Sequence, residues 1–247
     1  MYESRRLLSE YLLFHYGAAD EILPADRVWP AGMAAALDFP ARTVARFSQG
    51  WITRGLDLGC AVGRSTFEMA RSCDHVLGID YSQAFITAAE SLRSGETLEY
   101  DRPEEGHLRT HLLARAPAGI PAQRMTFRQG DAMNLGSDLG TFQRVHAANL
   151  LCRMSEPHRL LERLPSLVAP GGELVLATPC TWLEEFTPMG NWPVGTTFDW
   201  LQSFLTESFV LLSSHEEPFL IRETARKFQW STSLVTVWRR TPCESAV

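Results

Sequence analysis

The sequence is poor in lysine: of its 23 basic residues, Lys227 is the sole lysine and the others are arginines. Acidic residues outnumber them at 29, so the formal net charge is −6. No basic run with interleaved aromatic residues occurs. Proteins that bind nucleic acid through its phosphates present a basic face. We therefore expect a small-molecule substrate and no nucleic-acid partner.

The sequence also lacks a stretch of 18 apolar residues, the length that a membrane-spanning helix needs. Its first residues contain no apolar core of a signal peptide. No CxxC or other metal-ligand spacing occurs. The cysteines are odd in number and scattered along the sequence, which suits a reducing compartment. These cysteines are Cys60, Cys73, Cys152, Cys180 and Cys243. We expect a cytoplasmic protein without a membrane partner or a metal site.

Hydrophobic periodicity predicts alternating strands and helices. Strands are predicted at about 52–57, 75–79, 124–128, 142–148 and 173–178, followed by an antiparallel pair near 209–216 and 229–239. Helices are predicted at 65–71, at 82–92 with Ser82 as N-cap, at 157–168, and from Thr197. A length of 247 residues fits one α/β domain over 1–247.

Three segments depart from this alternation. Residues 1–50 show helical periodicity before the first strand, and we expect them to form a helical lid. Residues 93–122 are rich in proline and glycine and are longer than an ordinary crossover, so they read as an insertion. Residues 179–196 follow the fifth strand and are predicted to be a substrate loop.

The most informative motif is Leu56-Asp57-Leu58-Gly59-Cys60-Ala61-Val62-Gly63, followed by Asp80. It predicts a strand, a tight turn and a helix, with glycines where a backbone must approach a ligand. A dinucleotide site would read G-x-G-x-x-G. Here the Asp57 carboxylate would repel phosphate and suit an ammonium group, while Asp80 ends the second strand and suits ribose hydroxyls. A nucleoside with an amino-acid tail, S-adenosylmethionine, fits both.

This motif resembles that of the class I methyltransferases, and further matches follow in order. Gly130-Asp131-Ala132 resembles the motif whose acid meets the adenine amino group. Phe142 to Leu151 and Pro170 to Leu176 resemble the fourth and fifth strands. The resemblance implies a Rossmann-like seven-stranded sheet with helices on both faces, and S-adenosylmethionine as cofactor. It implies cofactor binding by Asp57, Gly59, Ala61, Gly63, Asp80, Tyr81, Asp131, Ala132 and Asn149.

Several of these residues have simpler explanations. The family's middle glycine is Ala61 here, which adds one methyl group. Asp80 could be an acid favoured at a helix N-terminus, Asp131 a turn residue, and Asn149 a helix cap. Since ligands of open α/β sheets lie outside the carboxyl ends of the strands, we interpret Asn149 as facing the cofactor or the acceptor. His146, inside the strand, is expected to pack in the sheet.

Candidate acceptor contacts come from three places. Tyr11, His15 and Tyr16 have polar tips on the predicted lid, and His15 or Tyr16 is a candidate base. Trp182 and Trp192 on the loop could stack on a flat ring or merely anchor the loop. Arg226, with Arg222 and Lys227, could clamp a carboxylate or form a solvated turn.

The flanks resemble a particular family, the methyltransferase domain that ends ovothiol-biosynthesis enzymes. The similar stretches are Tyr2-Glu3, Glu10 to Gly17, Asn149 to Arg153, Thr187 to Gly190 and Arg226 to Ser231. This resemblance implies methylation of a ring nitrogen of 4-mercaptohistidine. In that family the domain follows an iron-dependent portion, so a chain opening at Met1 suggests a separate sulfoxide synthase as partner or an excised domain.

Two rival hypotheses remain open: a methyltransferase of another small molecule, and a non-catalytic protein that binds S-adenosylmethionine. A nucleic-acid methyltransferase is disfavoured because Ala148-Asn149-Leu150-Leu151 replaces the Asn-Pro-Pro-aromatic run that receives an extruded base. A nicotinamide dehydrogenase is disfavoured by the glycine spacing.

Overall fold

The computed structural model describes residues 4–242, so the features noted at Tyr2, Glu3 and Cys243 lie outside the described residues. Its strands are β1 (Ile52–Leu58), β2 (Cys73–Asp80), β3 (Leu98–Pro103), β4 (Arg109–Ala114), β5 (Met125–Gln129), β6 (Phe142–Ala148), β7 (Val168–Thr178), β8 (Phe209–Arg222) and β9 (Phe228–Arg240). Its α-helices are α1 (Arg5–Tyr16), α2 (Ala19–Ile22), α3 (Phe39–Val44), α4 (Arg64–Ala70), α5 (Gln83–Arg93), α6 (Pro157–Leu167) and α7 (Thr197–Leu205).

Seven of these strands form one sheet in the order β5-β2-β1-β6-β7-β9-β8. The pairs from β5 to β7 are parallel, and β9 runs antiparallel to both β7 and β8. The chain moves outward from β1 through β2 to β5, then returns to place β6 on the other side of β1. A ligand crevice is expected at such a reversal, outside the carboxyl ends of the strands.

Side-chain alternation along the strands divides the core into two layers. Leu56, Leu58 and Val145 pack on one face with the buried leucines of α6 and α7. The opposite face packs against α1, α3, α4 and α5 through a second cluster that includes Phe39, Phe67 and Phe85. The α/β fold with helices on both faces is therefore the one that the sequence predicts.

Most predicted helices and strands occur in the structure, but some of them end at different residues. The prediction for 142–148 matches β6, and the Ser82 hydroxyl caps α5 by accepting a hydrogen bond from the Phe85 amide at 3.2 Å. Strand β8 continues to Arg222, whereas the prediction ended it at 216. The extension pairs in register with β9, and its Glu217 is buried in ion pairs with Arg42 and Arg46.

Residues 93–122 contain structure that the sequence did not reveal. Strands β3 and β4 pair as an antiparallel two-stranded sheet apart from the central one. Tyr100 and Ala114 are buried on the side that meets the core cluster, while Leu108 near the turn is 67% exposed. The hairpin contacts α1, so this segment packs on the N-terminal helix.

Within residues 4–242, no helix has both the length and the apolar character needed to cross a bilayer.

Candidate active site

A cavity of about 610 Å³ lies at the carboxyl ends of β1, β2, β5 and β6. Its volume is in the usual range for small-molecule sites. Helices α1 and α3 and the loop after β7 contribute the other walls. The predicted site residues that line it are Tyr11, His15, Gly59, Ala61, Asp80, Tyr81, Asp131, Ala132 and Asn149. Those that do not line it are Tyr16, Asp57, Gly63, Trp182, Trp192 and Arg226.

The turn after β1 brings backbone, rather than side chains, to the cavity. Gly59 lines it with φ +69°, and Ala61 adopts φ +47°, a left-handed conformation that costs an alanine about 1 kcal/mol. Gly63 has a different role from the predicted ligand contact. A Cβ there would lie 2.8 Å from the Phe127 ring, so its glycine lets α4 approach β5.

The Asp80 carboxylate is fixed at the end of β2 by two backbone amides. Its Oδ2 accepts a hydrogen bond from Ala61 at 2.9 Å, and its Oδ1 accepts one from Ser82 at 2.9 Å. A carboxylate oxygen can accept more than one hydrogen bond. Asp80 therefore closes the turn after β1 and can still accept hydrogen bonds from hydroxyl groups in the cavity.

Asp57 was expected to contact the ligand directly, and the structure corrects this. Its side chain is 1% exposed. The hydroxyls of Ser65 and Thr66 each donate to Oδ2 at 2.6 Å, and His146 Nδ1 lies 2.8 Å from Oδ1. Asp57 and His146 are partners across β1 and β6. Ser65 and His146 line the cavity, so Asp57 positions two groups that face it.

The charged form of Asp57 is favoured despite its position. Burial opposes ionisation, but the hydrogen bonds with His146, Ser65 and Thr66 outweigh it, so the pKa of Asp57 lies below its ordinary value. The other ring nitrogen of His146 lies 3.0 Å from the Thr43 hydroxyl. As expected, His146 packs in the sheet, and the bonds at both nitrogens fix its ring.

Tyr81 and the turn after β5 form the wall beside Asp80. Tyr81 is 72% exposed, so its ring face is open to a ligand. Asp131 Oδ1 accepts a hydrogen bond from the Met133 amide at 2.9 Å, which is the turn geometry considered for this residue. Its Oδ2 forms no hydrogen bond within the described part of the chain, and the neighbouring Ala132 also lines the cavity.

Asn149 follows β6 directly and has a left-handed backbone, with φ +53°. Its backbone amide donates a hydrogen bond to the Ala177 carbonyl at 2.8 Å, and its side-chain Oδ1 accepts one from the Ser233 hydroxyl at 2.7 Å. The side chain thus joins β6 to β9. Strained backbone of this kind clusters at functional sites, and here Asn149 lines the cavity.

His15 and Tyr16, the two candidate bases, differ in their surroundings. His15 lines the cavity, is 7% exposed, and its Nδ1 is buried without a hydrogen-bond partner. Burial, reinforced by the Arg64 cation, lowers the pKa of His15 to about 3. Its ring is therefore neutral and a weak base at neutral pH.

Tyr16 does not take the predicted role. Its hydroxyl donates to the Val62 carbonyl at 2.7 Å, which ties α1 to the turn after β1. Burial raises the pKa of Tyr16 well above its ordinary value. Because this hydroxyl is engaged and lies outside the cavity lining, Tyr16 is a connecting residue rather than a base or an acceptor contact.

Trp182 and Trp192, which were predicted to wall the acceptor, do not line the cavity. Trp182 donates from Nε1 to the Thr197 hydroxyl at 3.0 Å and packs edge-on against Trp200. Trp192 donates to the Thr187 carbonyl at 2.7 Å. Both indoles anchor the loop, as the simpler explanation had it. The loop residues that line the cavity are Glu185 and Phe186.

Arg226, the predicted carboxylate clamp, lies away from the cavity. Arg226 is exposed on the turn between β8 and β9 and does not line the cavity. Lys227 pairs with Glu223 at 2.7 Å, and Arg222 is buried against Glu104 at 3.1 Å. These neighbouring cations are engaged in joining chain segments.

One cation that the motifs do not indicate as a site residue lines the cavity. Arg153 lies in the short helix Leu151–Arg153 after β6, with its guanidinium 4.5 Å from the centre of the Phe186 ring. It belongs to the stretch Asn149 to Arg153 that was singled out for its resemblance. A cation four residues after Asn149, at the carboxyl end of a central strand, was the signal available.

Strand order, the turn after β1, and the acids that follow β2 and β5 together define a class I, S-adenosylmethionine-dependent methyltransferase. The family model described as a methyltransferase domain matches residues 28–212, and the chain belongs to this family.

Several solved structures share this fold. The [4+2]-cyclase SpnF matches with a TM-score of 0.60 at 16% identity, over 98% of this chain and 95% of that one. The N-methyltransferase NodS from Bradyrhizobium japonicum WM9, solved with S-adenosyl-L-homocysteine, matches with a TM-score of 0.54 at 15% identity, over 94% and 98%. A structure from work on conversion of a disulfide bond into a thioacetal group during echinomycin biosynthesis matches with a TM-score of 0.56 at 17% identity, over 84% and 83%.

Proposed function

We propose that this methyltransferase transfers the methyl group of S-adenosylmethionine to a ring nitrogen of 4-mercaptohistidine. The observation that carries the proposal is the position of the stretches that resemble the ovothiol family. The stretch Glu10 to Gly17 contributes Tyr11 and His15 to the cavity, and the stretch Asn149 to Arg153 contributes both of its end residues. The stretch Thr187 to Gly190 supports the wall, since the Thr187 hydroxyl donates to the Met154 carbonyl at 2.7 Å.

The residues that follow β1, β2 and β5 would hold the cofactor. We assign Asp80 to the ribose hydroxyls, Tyr81 and Ala132 to the two faces of adenine, and Asp131 Oδ2 to its amino group. Gly59 and Ala61 would face the methionine part. We call this set, Gly59, Ala61, Asp80, Tyr81 and Asp131, the cofactor end of the cavity.

The opposite walls would hold the acceptor. We call Tyr11, His15, Arg153, Glu185 and Phe186 the acceptor end. Their aromatic rings can enclose a flat imidazole ring, and Asn149 lies between the two ends. In this arrangement residues 1–50 act as a lid over the acceptor, and the loop 179–196 acts as the substrate loop through Glu185 and Phe186.

The reaction needs placement more than acid–base chemistry. When bound, S-adenosylmethionine supplies an electrophilic methyl group on a sulfonium. A neutral ring nitrogen with its lone pair aimed at that methyl group reacts by in-line displacement, and orientation supplies much of the acceleration. The neutral His15 ring can hydrogen-bond the acceptor and select the tautomer whose nitrogen is free. The walls must also turn the thiol away, because sulfur is the stronger nucleophile.

The proposed acceptor already carries sulfur on its ring, so a separate reaction must install it. We propose an iron-dependent sulfoxide synthase as the partner that supplies it, following the resemblance. A methyltransferase acting on another flat small molecule is the second candidate, because Phe14, Phe39 and Phe186 give the cavity an apolar aromatic lining that also suits a phenol.

Mass spectrometry tests this function. Purified protein is incubated with S-adenosylmethionine and 4-mercaptohistidine, with histidine as the parallel substrate. The proposal expects one added methyl group on a ring nitrogen and a thiol that still reacts with alkylating reagent. A methylated sulfur, or no product while calorimetry shows cofactor binding, would exclude 4-mercaptohistidine N-methylation and direct the search to other acceptors.

A further inference from the structure

We propose that Arg153 binds the carboxylate of the methyl acceptor and that the acceptor is therefore an α-amino acid. This inference rests on the proposed function and specifies how its substrate is recognised. Arg153 lines the cavity, and its guanidinium lies over the Phe186 ring at 4.5 Å. Within the described residues it forms no hydrogen bond and no ion pair, and its Nη1 is buried.

The isolation of Arg153, which is half-buried, contrasts with the buried arginines Arg144 and Arg222. Arg144 donates to the Ser72 hydroxyl at 2.7 Å and to the Gly50 carbonyl at 3.0 Å. Arg222 donates to the Ile22 carbonyl at 3.0 Å and to Glu104 at 3.1 Å. A buried N–H group such as that of Arg153 Nη1 is costly unless it finds a partner. Arg153 is held at the cavity by an aromatic face alone, which leaves its donors for a ligand.

Charge selects the kind of ligand. Histidines aside, Arg153 is the one cationic side chain lining the cavity within residues 4–242, against three acids, Asp80, Asp131 and Glu185. A guanidinium offers a planar pair of donors that matches a carboxylate. Glu185 precedes Phe186, on which Arg153 lies, and so adds an opposite charge to the same wall. A cation and an acid on one wall match the two charges of an α-amino acid.

The cofactor also carries a carboxylate, and the position of Arg153 in the fold indicates which of the two carboxylates, that of the cofactor or that of the acceptor, it binds. The groups assigned to the cofactor follow β1, β2 and β5, with Asp80 bound to the Ala61 amide. Arg153 lies beyond β6, against a residue of the loop that follows β7. We therefore assign its donors to the acceptor carboxylate, which the sequence had placed at Arg226.

Kinetics with a matched pair of acceptors tests the assignment. Methyl transfer to 4-mercaptohistidine and to its decarboxylated analogue is measured for wild type, R153M and R153K. We expect wild type to prefer the carboxylate-bearing acceptor in kcat/KM by about 30-fold, the value of a charge-assisted hydrogen-bond pair. R153M should lose this preference while its Kd for S-adenosylmethionine stays unchanged, and R153K should retain part of it.

Arg124 supplies the control, because its guanidinium lies 4.7 Å from the Trp51 ring in a similar cation–aromatic pair away from the cavity. R124M should keep the wild-type preference. An equal preference in wild type and R153M would overturn the assignment, and so would a weakened cofactor Kd in R153M. E185Q should reduce only the preference for acceptors that carry the ammonium group.

The two proposals fail separately. If wild type methylates neither compound, the proposed function is wrong. Calorimetry on protein loaded with S-adenosylhomocysteine, using histidine and histamine as probes, then decides the inference. Tighter binding of histidine that disappears in R153M supports the carboxylate site, and equal binding of the two probes overturns it. Thermal unfolding of R153M near the wild-type midpoint shows that the variant is folded.

Discussion

The two ends of the cavity differ in how fully their polar groups are satisfied. At the cofactor end, the Asp80 oxygens accept hydrogen bonds from two backbone amides, and the Asp57 carboxylate beneath accepts from hydroxyls. At the acceptor end, His15 Nδ1 and Arg153 Nη1 are buried without partners. The chain itself satisfies the Asp57 and Asp80 carboxylates at the first end, whereas we expect a ligand to complete the second. Changes at the first should therefore affect stability and cofactor binding together.

The largest effect is expected from D57A. It leaves the Ser65 and Thr66 hydroxyls and His146 Nδ1 without their buried acceptor, so the free energy of unfolding should fall by about 3 kcal/mol or more. Urea unfolding measures this. D74A is the control, because Asp74 is exposed and accepts one hydrogen bond from Trp51. Similar losses in the two variants would show that the Asp57 network is not a structural centre.

H15F should change how stability depends on pH. The folded-state pKa of His15, about 3, lies below the ordinary 6.5, so the unfolded chain takes up the proton first as pH falls. Stability from the neutral ring is complete above pH 6.5 and is lost towards pH 3, by about 1.4 kcal/mol per pH unit. At pH 5, wild type should thus have lost about 2 kcal/mol of its free energy of unfolding, and H15F should not show this loss.

Urea unfolding at pH 5 and pH 8 checks this, with H107F as a variant of an exposed histidine. Parallel pH profiles for H15F and wild type would mean that the His15 ring is not held neutral. Acceptor KM should rise in H15F while cofactor Kd stays constant, since His15 belongs to the acceptor end.

D80A should weaken S-adenosylmethionine binding by about 30-fold, because charge-assisted hydrogen bonds to the ribose are lost. The turn after β1 also loses the acceptor for the Ala61 amide. Calorimetry gives the cofactor Kd, and kinetics at saturating cofactor gives the acceptor KM, which should stay within about twofold. An unchanged Kd would remove Asp80 from the ribose site.

R226A should have the smallest effect. The side chain is exposed and away from the cavity, so acceptor KM should match wild type within error and stability should change by less than about 0.5 kcal/mol. The corresponding R153M variant is expected to raise acceptor KM. If R226A raised it as much, the acceptor would extend to the turn between β8 and β9.

The turn after β1 and the acid at the end of β2 could be predicted because their requirements are local. A strand, a turn that needs left-handed backbone and an acid at the end of the next strand all appear in the sequence as short patterns, from Leu56 to Gly63 and at Asp80. The same patterns did not show which groups face the ligand. Asp57 and Gly63 are recognisable in the motif, but burial and the approach of Phe127 give them supporting roles.

The acceptor end could not be predicted in this way, because tertiary hydrogen bonds decide which side chains reach it. Trp182 and Trp192 lie on the predicted loop, yet their Nε1 groups donate to Thr197 and Thr187. The Tyr16 hydroxyl donates its hydrogen bond to the Val62 carbonyl, 46 positions away in the sequence, and so does not reach the acceptor end. Arg153 is distinguished by the partners it lacks, and a sequence does not show that.

A crystal structure with S-adenosylhomocysteine would test the division of the cavity most directly. The account predicts ribose hydroxyls on the Asp80 carboxylate, adenine beside Tyr81 and Asp131, and an Arg153 guanidinium that makes no contact with the bound molecule. An S-adenosylhomocysteine carboxylate seated on Arg153 would contradict the division and assign that cation to the cofactor.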